Sequence, residues 1–388
     1  MKNLKFLLPL ILAITFTGGF FAGKLFSTNS QQEGLIMEQA SESFIKPVPK
    51  QLPKLESAKD KVLIGYIQDF RDPNLVDYDN LTHIIFSFAH PTKDGGLLLN
   101  GETALNNLRL MVSKAHEHDT KVILAVGGWY HIQGGESYEY FKSAIANSTS
   151  RSKLVNELIS IVEREKLDGI DIDFEHPRSW EDAQNLTSFI KLLSEKLHDK
   201  NKELSIAVQA KINSVTGTQS NYVLYEPSMF QYVDHVNIMA YDGQWDGGYN
   251  AANLSPYPFN EKIVNYWTRL FDSHNLSKEK LVLGIPFYAQ PEDPSIKQIS
   301  YAAIIKNNPE NAEHDTVNMN GTTYYYNGAK TILKKTKLAL DHGFGGMMLW
   351  EAGHDAEGLY SLTGVISKAL QAEDSYVFKE DDTQRGTD

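Results

Sequence analysis

From Lys61 onward the chain repeats one alternation: a short apolar run, then a polar stretch with apolar residues three and four apart. The runs are KVLIGYI (61–67), THIIFSFA (82–89), KVILAVGGW (121–129), LDGIDIDFE (167–175), ELSIAVQA (203–210), VDHVNIMAYD (233–242), LVLGIPFYA (281–289) and GGMMLWEAGHD (345–355). Each reads as a strand buried on both faces. Between or after most of them the spacing turns helical, as with Leu105, Leu108, Met111 and Val112, or Leu154, Val155, Leu158, Ile159 and Val162. Ser179 is placed to cap a helix opening at Trp180. Further helical segments fall at 260–275, 329–343 and 357–371. Eight such strands separated by helices predict an α/β fold, a parallel sheet closed as a (β/α)8 TIM barrel. An open doubly wound sheet would carry a glycine-rich phosphate turn after its first strand, and none is written here.

The first 60 residues follow other patterns. Lys2 and Lys5 precede an apolar run over residues 6–23, so 1–26 reads as a signal peptide or signal anchor. Residues 27–60 are rich in Gln, Glu, Ser, Pro and Lys without a period and read as a linker. The barrel is expected over 61–372, followed by an acidic tail over 373–388. Such a chain is expected to be exported, either secreted or tethered outside the membrane.

Composition narrows the chemistry. The net charge of −12 and the lack of any Lys/Arg cluster argue against nucleic acid as a partner. With no cysteine, the chain has neither disulfides nor thiolate metal sites nor a cysteine nucleophile.

The unusual stretch is LDGIDIDFEHP, 167–177. In a strand, Asp171, Asp173 and Glu175 share one face, each roughly 6.6 Å from the next, while Ile172 and Phe174 occupy the other. Three carboxylates on a partly buried face repel one another and are poorly solvated, so at least one keeps its proton near neutral pH. A Mg²⁺ or Ca²⁺ site would also use carboxylates, but the EF-hand spacing and its glycine are missing. No metal or cofactor is expected here. Asp168 lies at the wrong parity for this face and reads as structural. Trp129, Trp180, Trp245 and Trp350 fall at or just after expected strand ends, where a barrel carries its functional residues. Only Trp267 sits within a helix. Aromatic rings around carboxylates suit a cleft that grips sugar rings.

LDGIDIDFE resembles the D-x-x-D-x-D-x-E signature of family 18 glycoside hydrolases, the chitinase and chitinase-like barrels. AVGGW resembles the family's S-x-G-G, NIMAYD its M-x-Y-D, GIPFY its seventh-strand motif and GGMMLWEAGHD its eighth-strand segment, all in order over about 61–370. The resemblance implies retaining, substrate-assisted hydrolysis of N-acetylglucosamine polysaccharides or oligosaccharides. It implies Glu175 as general acid and base, Asp173 as the group orienting the substrate's acetamide, and Asp171 as its inner partner. Tyr241 would position the acetamido oxygen, with Asp242 and Met239 around it and Trp350 as the pocket floor. Tyr66 would support Asp171, and Trp129 would line the cleft.

Two departures qualify this. Ala125 stands where the family motif has serine, removing a hydroxyl expected to support Asp171. Residues 290–343 must supply a helix and are short for an α+β insertion, which predicts an open, shallow cleft. The family also contains enzymes acting on the chitobiose core of N-glycans or on peptidoglycan-like chains, and non-catalytic lectins, which commonly lose the acid. His176 is expected to line the cleft, and His116 and His118 to lie at a solvated helix end.

Overall fold

The computed structural model describes residues 61–371. The apolar run over 6–23, the linker and the acidic tail lie outside the described residues. The strands are β1 (Val62–Gln68), β2 (His83–Pro91), β3 (Leu97–Leu98), β4 (Lys121–Gly127), β5 (Gly169–Asp173), β6 (Glu203–Gln209), β7 (His235–Met239), β8 (Leu281–Pro286), β9 (Tyr288–Pro291), β10 (Ile299–Ser300), β11 (Thr316–Met319), β12 (Thr322–Tyr325) and β13 (Gly346–Trp350). Eight of them pair in parallel in the order β1-β13-β8-β7-β6-β5-β4-β2, and β2 returns to β1 to close the barrel. All eight expected strands are present, and the fold is a (β/α)8 TIM barrel.

The helices are α1 (Gly101–Glu117), α2 (Tyr138–Ala146), α3 (Ser148–Glu165), α4 (Trp180–His198), α5 (Tyr257–Ser273), α6 (Tyr301–Asn307), α7 (Ala329–Asp341) and α8 (Leu362–Gln371). They are not distributed one per strand. Two follow β4, while β1–β2 and β6–β7 are joined through 3-10 turns. Ser179 caps α4 as expected: its hydroxyl accepts from the Asp182 N–H, and the Asp182 carboxylate accepts from the Ser179 N–H. In α3 the buried stripe is Leu154, Val155, Leu158, Ile161 and Val162, with Ile159 only partly covered. Trp267, in the middle of α5, is fully buried against Phe230 and Phe271, whereas Trp180 opens α4 and is exposed. The Trp267 indole N–H donates to the Ala210 carbonyl at 3.3 Å, so the ring is buried without stranding its polar edge.

One expectation needs correction. Residues 290–343 supply helices α6 and α7, but part of the segment also completes a four-stranded antiparallel sheet, β10-β9-β12-β11. These strands are two to four residues long and largely polar, as in TVNM and TTYY, so they leave no apolar run to read.

The main core lies between barrel and helices, and a second cluster lines the barrel itself: Ile64 and Tyr66 on β1, Ile85 on β2, Ile123 and Ala125 on β4, Val282 on β8 and Met348 on β13. The remaining inner wall, on β5, β6 and β7, carries Asp171, Asp173, Ser205 and Asn237 instead. The barrel interior is therefore apolar along one side and polar along the other.

Candidate active site

Asp171 is fully buried and held by three donors. The Tyr66 hydroxyl donates to Oδ2 at 2.7 Å; the Ser205 hydroxyl at 2.6 Å and the Asn237 amide at 3.1 Å donate to Oδ1. Asn237 also donates to the Tyr66 oxygen at 3.1 Å, joining β1, β5, β6 and β7 in one network. Strand register explains the set. Asp171 pairs with Ala125 on β4 and with Ser205 on β6. The hydroxyl missing on one flank is thus present on the other. Tyr66 was expected as a partner; Ser205 and Asn237 were not. Their only signal in the sequence is a single polar residue inside an apolar run.

Burial pushes Asp171 up to about 6, against the opposing pull of its three donors. Asp173, one step along the strand, is 3 % exposed and its Oδ1 has no hydrogen-bond partner among the described residues. Burial, then the charges of Glu175 and Asp171, hold its proton on well above the ordinary carboxylate range. Glu175 is raised to about 8 by burial and then by Asp242 and Glu136. Interacting acids this close titrate as a unit. The group retains protons at neutral pH, as expected, although β5 ends at Asp173 and Glu175 stands in the bend just beyond it rather than in the strand.

Tyr241, Tyr66, Tyr288 and Met348 share the inner cluster, with Met239 and Trp350 packed against it. The Tyr241 hydroxyl lies 3.9 Å from the Met348 sulfur, and its ring meets Tyr288 edge-on. Asp242 accepts from the Tyr288 hydroxyl at 2.5 Å and from Gln244 at 3.0 Å. Trp350 stacks on Phe88 with centroids 5.9 Å apart and tilts against Tyr66 at 5.6 Å. Behind it, Glu351 is buried and bound by Arg71 and the Gln68 N–H. The structure thus brings Asp171, Asp173, Glu175, Tyr66, Tyr241, Asp242, Met239 and Trp350 to one end of the barrel. Trp129 stands apart, 44 % exposed in the loop after β4. Trp180 and Trp245 are also exposed beyond strand ends, so none of these three serves as core packing.

His176 lies at this site, its Nε2 3.6 Å from the Glu175 carboxylate. Burial and the nearby Arg178 and Lys211 lower it to about 4, leaving the ring neutral. Asp168 is structural, as expected: it accepts from the Val122 N–H at 2.9 Å and from His116 at 2.7 Å. His116 and His118 are exposed but paired, the second with Asp79 at 2.6 Å.

Gly127 and Gly128, both with positive φ, form the corner after β4. A Cβ on Gly127 would collide with the Asp173 carbonyl, and one on Gly128 would come within 2.9 Å of the Phe88 ring. The Gly128 N–H donates to the Asp173 carbonyl at 2.9 Å. This corner fixes the end of the acid-bearing strand, which is the physical reason for two consecutive glycines.

The chain is similar to several known proteins. A chitinase-like effector of Moniliophthora roreri is 29% identical over 230 residues, covering 55% of this chain and 53% of that protein. The chain spans about half the length, or less, of the first curated relatives it matches. The GH18 chitinase ChiB from the chitin utilization locus of Flavobacterium johnsoniae is 26% identical with a TM-score of 0.66, covering 80% of this chain and 94% of that one. A chitinase from Bacteroides thetaiotaomicron is also 26% identical, with a TM-score of 0.66, over 83% of this chain and 100% of that one. The family model described as glycosyl hydrolases family 18 matches residues 62–355, and this chain belongs to that family.

Proposed function

We propose that this chain is a retaining glycoside hydrolase cleaving β-1,4-linked N-acetylglucosamine polymers, chitin or its oligomers, by substrate-assisted catalysis. The observation that carries the proposal is Glu175, raised to about 8 by burial and by neighbouring acids, just beyond the buried Asp171 and Asp173 on the same strand end. The names of the relatives, chitinases among them, agree with it.

In the first step Glu175 gives its proton to the glycosidic oxygen as the C1–O bond breaks. The substrate's own 2-acetamido oxygen closes on C1 in place of a protein nucleophile, forming an oxazolinium ion. Asp173 accepts the acetamide N–H and balances the developing positive charge. Asp171, fixed by Tyr66, Ser205 and Asn237, keeps a proton shared between the two aspartates. Tyr241 donates to the acetamido oxygen, and Asp242 and Met239 shape the pocket beside it. In the second step the Glu175 carboxylate takes a proton from water, which opens the oxazolinium ion on the face the leaving group vacated. Two inversions give retention.

Trp350 supports the sugar to be cleaved, and exposed Trp129 extends the grip along the chain. Export through the apolar run 6–23, with or without a retained membrane tether, belongs to the same reading, since a polymeric substrate of this kind lies outside the cell.

The test uses the full chain beside its Glu175→Gln variant, with N-acetylglucosamine oligomers of increasing length. Products are followed by mass spectrometry and the fresh anomer by NMR. Release of β-anomer by the wild type alone is expected. Binding by both proteins with cleavage by neither would overturn the hydrolase in favour of a glycan-binding protein.

A further inference from the structure

At the opposite end of the barrel three side chains that the proposed hydrolysis does not use converge from different strands. His83 opens β2, Glu203 opens β6 and His235 opens β7. In the closed barrel β2 lies across the interior from β6 and β7, so the meeting is a product of closure and not of adjacency. The His83 Nε2 lies 2.9 Å from Glu203 Oε2, and the His235 Nε2 3.9 Å from the same oxygen. One donor atom from each residue falls within 4.8 Å of the other two. The two imidazoles meet edge-on with centroids 5.2 Å apart.

We propose that His83, Glu203 and His235 bind a divalent metal ion on the barrel floor, clamping β2 to β6 and β7. Two imidazoles and one carboxylate suit Zn²⁺ or another borderline ion, with a water completing the tetrahedron. Bonds of about 2.1 Å at tetrahedral angles put ligand atoms roughly 3.4 Å apart, so the donors need to close by up to about 1.4 Å at their widest edge.

The surroundings fit this use. The His83 Nδ1 lies 2.8 Å from the Thr82 hydroxyl, which reaches the Leu63 carbonyl at 3.1 Å. That relay lets Nδ1–H donate outward and leaves Nε2 as the lone pair a metal requires. The His235 ring is largely buried and meets His83 edge-on. Its Nδ1 has no hydrogen-bond partner among the described residues, so the ring can turn its Nε2 toward the ion. Lys121 binds the other oxygen of Glu203, which orients the carboxylate but places a positive charge nearby. That charge lowers the affinity for a cation relative to the same ligands without it. Glu203 and His235 are 24% and 16% exposed, so the ion enters from the barrel floor without crossing the sugar cleft.

The test uses the full chain without a polyhistidine tag, stripped with EDTA and titrated with ZnCl₂ by calorimetry and with CoCl₂ by visible absorption. One saturable equivalent, the intense bands of a four-coordinate Co²⁺ and a melting temperature raised by Zn²⁺ and reversed by EDTA are expected. His235→Ala should weaken binding severely, whereas His116→Ala, on the outer surface, should not. Thr82→Val removes the relay without a ligand and should cost about tenfold in affinity; it serves if His235→Ala does not fold. Absence of saturable Zn²⁺ binding to the wild type would overturn the proposal, leaving the cluster an ion-paired clasp. So would binding that neither His235→Ala nor Thr82→Val changes.

Discussion

Glu175 and Glu203 stand at opposite ends of one barrel, and the same carboxyl group behaves in opposite ways. Glu175 is raised to about 8 because burial and other acids surround it. Glu203 is lowered to about 2, burial notwithstanding, because His83 and Lys121 bind it. Burial opposes the charge at both ends, so the neighbours decide the outcome. At the mouth the fold gathers like charges and stores protons; at the floor it pairs opposite charges and ties strands together. The first arrangement weakens the fold and, in the proposed mechanism, serves chemistry, while the second strengthens the fold.

The largest expected effect tests the mouth. Glu175→Gln should lower turnover by roughly 10²–10⁴-fold while leaving oligosaccharide binding largely intact, read by kinetics and calorimetry. Because the folded pKa of Glu175 lies above its unfolded value, ionising it costs stability as pH rises from the ordinary carboxylate range through about 8. The variant should therefore melt above wild type most clearly in alkaline buffer, and the gap should close near pH 4. A gap independent of pH would show that the proton is not held there.

Next comes the support of Asp171. Ser205→Ala removes a bond to a charged group worth about 1.5–3 kcal/mol, so kcat should fall roughly ten- to a hundredfold if the loss is felt in the transition state. Adding Ala125→Ser supplies a hydroxyl from the other flanking strand and should restore part of the rate. Failure of this rescue, with the single variant still impaired, would mean that the two flanks are not equivalent.

The floor is tested by stability. Glu203→Gln should cost about 2 kcal/mol in neutral buffer, since it leaves Lys121 and His83 without their carboxylate. The depressed pKa contributes stability that is present above the unfolded value and lost as pH falls through about 2. The difference between wild type and variant should therefore shrink below about pH 4.5, in urea or thermal melts.

The smallest effect concerns Glu136, one of the charges raising Glu175 and itself paired with Arg178 at 2.8 Å. Glu136→Gln should move the alkaline limb of kcat/KM toward lower pH by roughly half a unit, less at high salt. A shift in the other direction would contradict the electrostatic account of the acid's pKa.

The strands of the barrel were legible because most are compact, largely apolar runs, and the acid column because period two survives in IDIDFE. Ser205 and Asn237 were not, since one small polar residue in ELSIAVQA or HVNIMAYD signals nothing until register sets it beside Asp171. The floor cluster was hidden for a different reason. His83, Glu203 and His235 each look like the polar first residue of a strand, and only closure shows what they face. The small antiparallel sheet had no apolar run to announce it. What a sequence pattern conveys is local periodicity; what it withholds is whatever depends on strands meeting across a barrel.

The glycine corner after β4 has a bearing on how this cleft can change. Because Gly127 and Gly128 admit no side chain, that stretch of wall consists of main chain, and point substitution there removes the architecture before it alters preference. Diversification of what the cleft accepts is thereby channelled to the rim beyond Trp129 and to the loops after β5 and β7. Directed evolution of this chain should therefore find its tolerated, selectivity-changing variants in those loops and almost none at the corner.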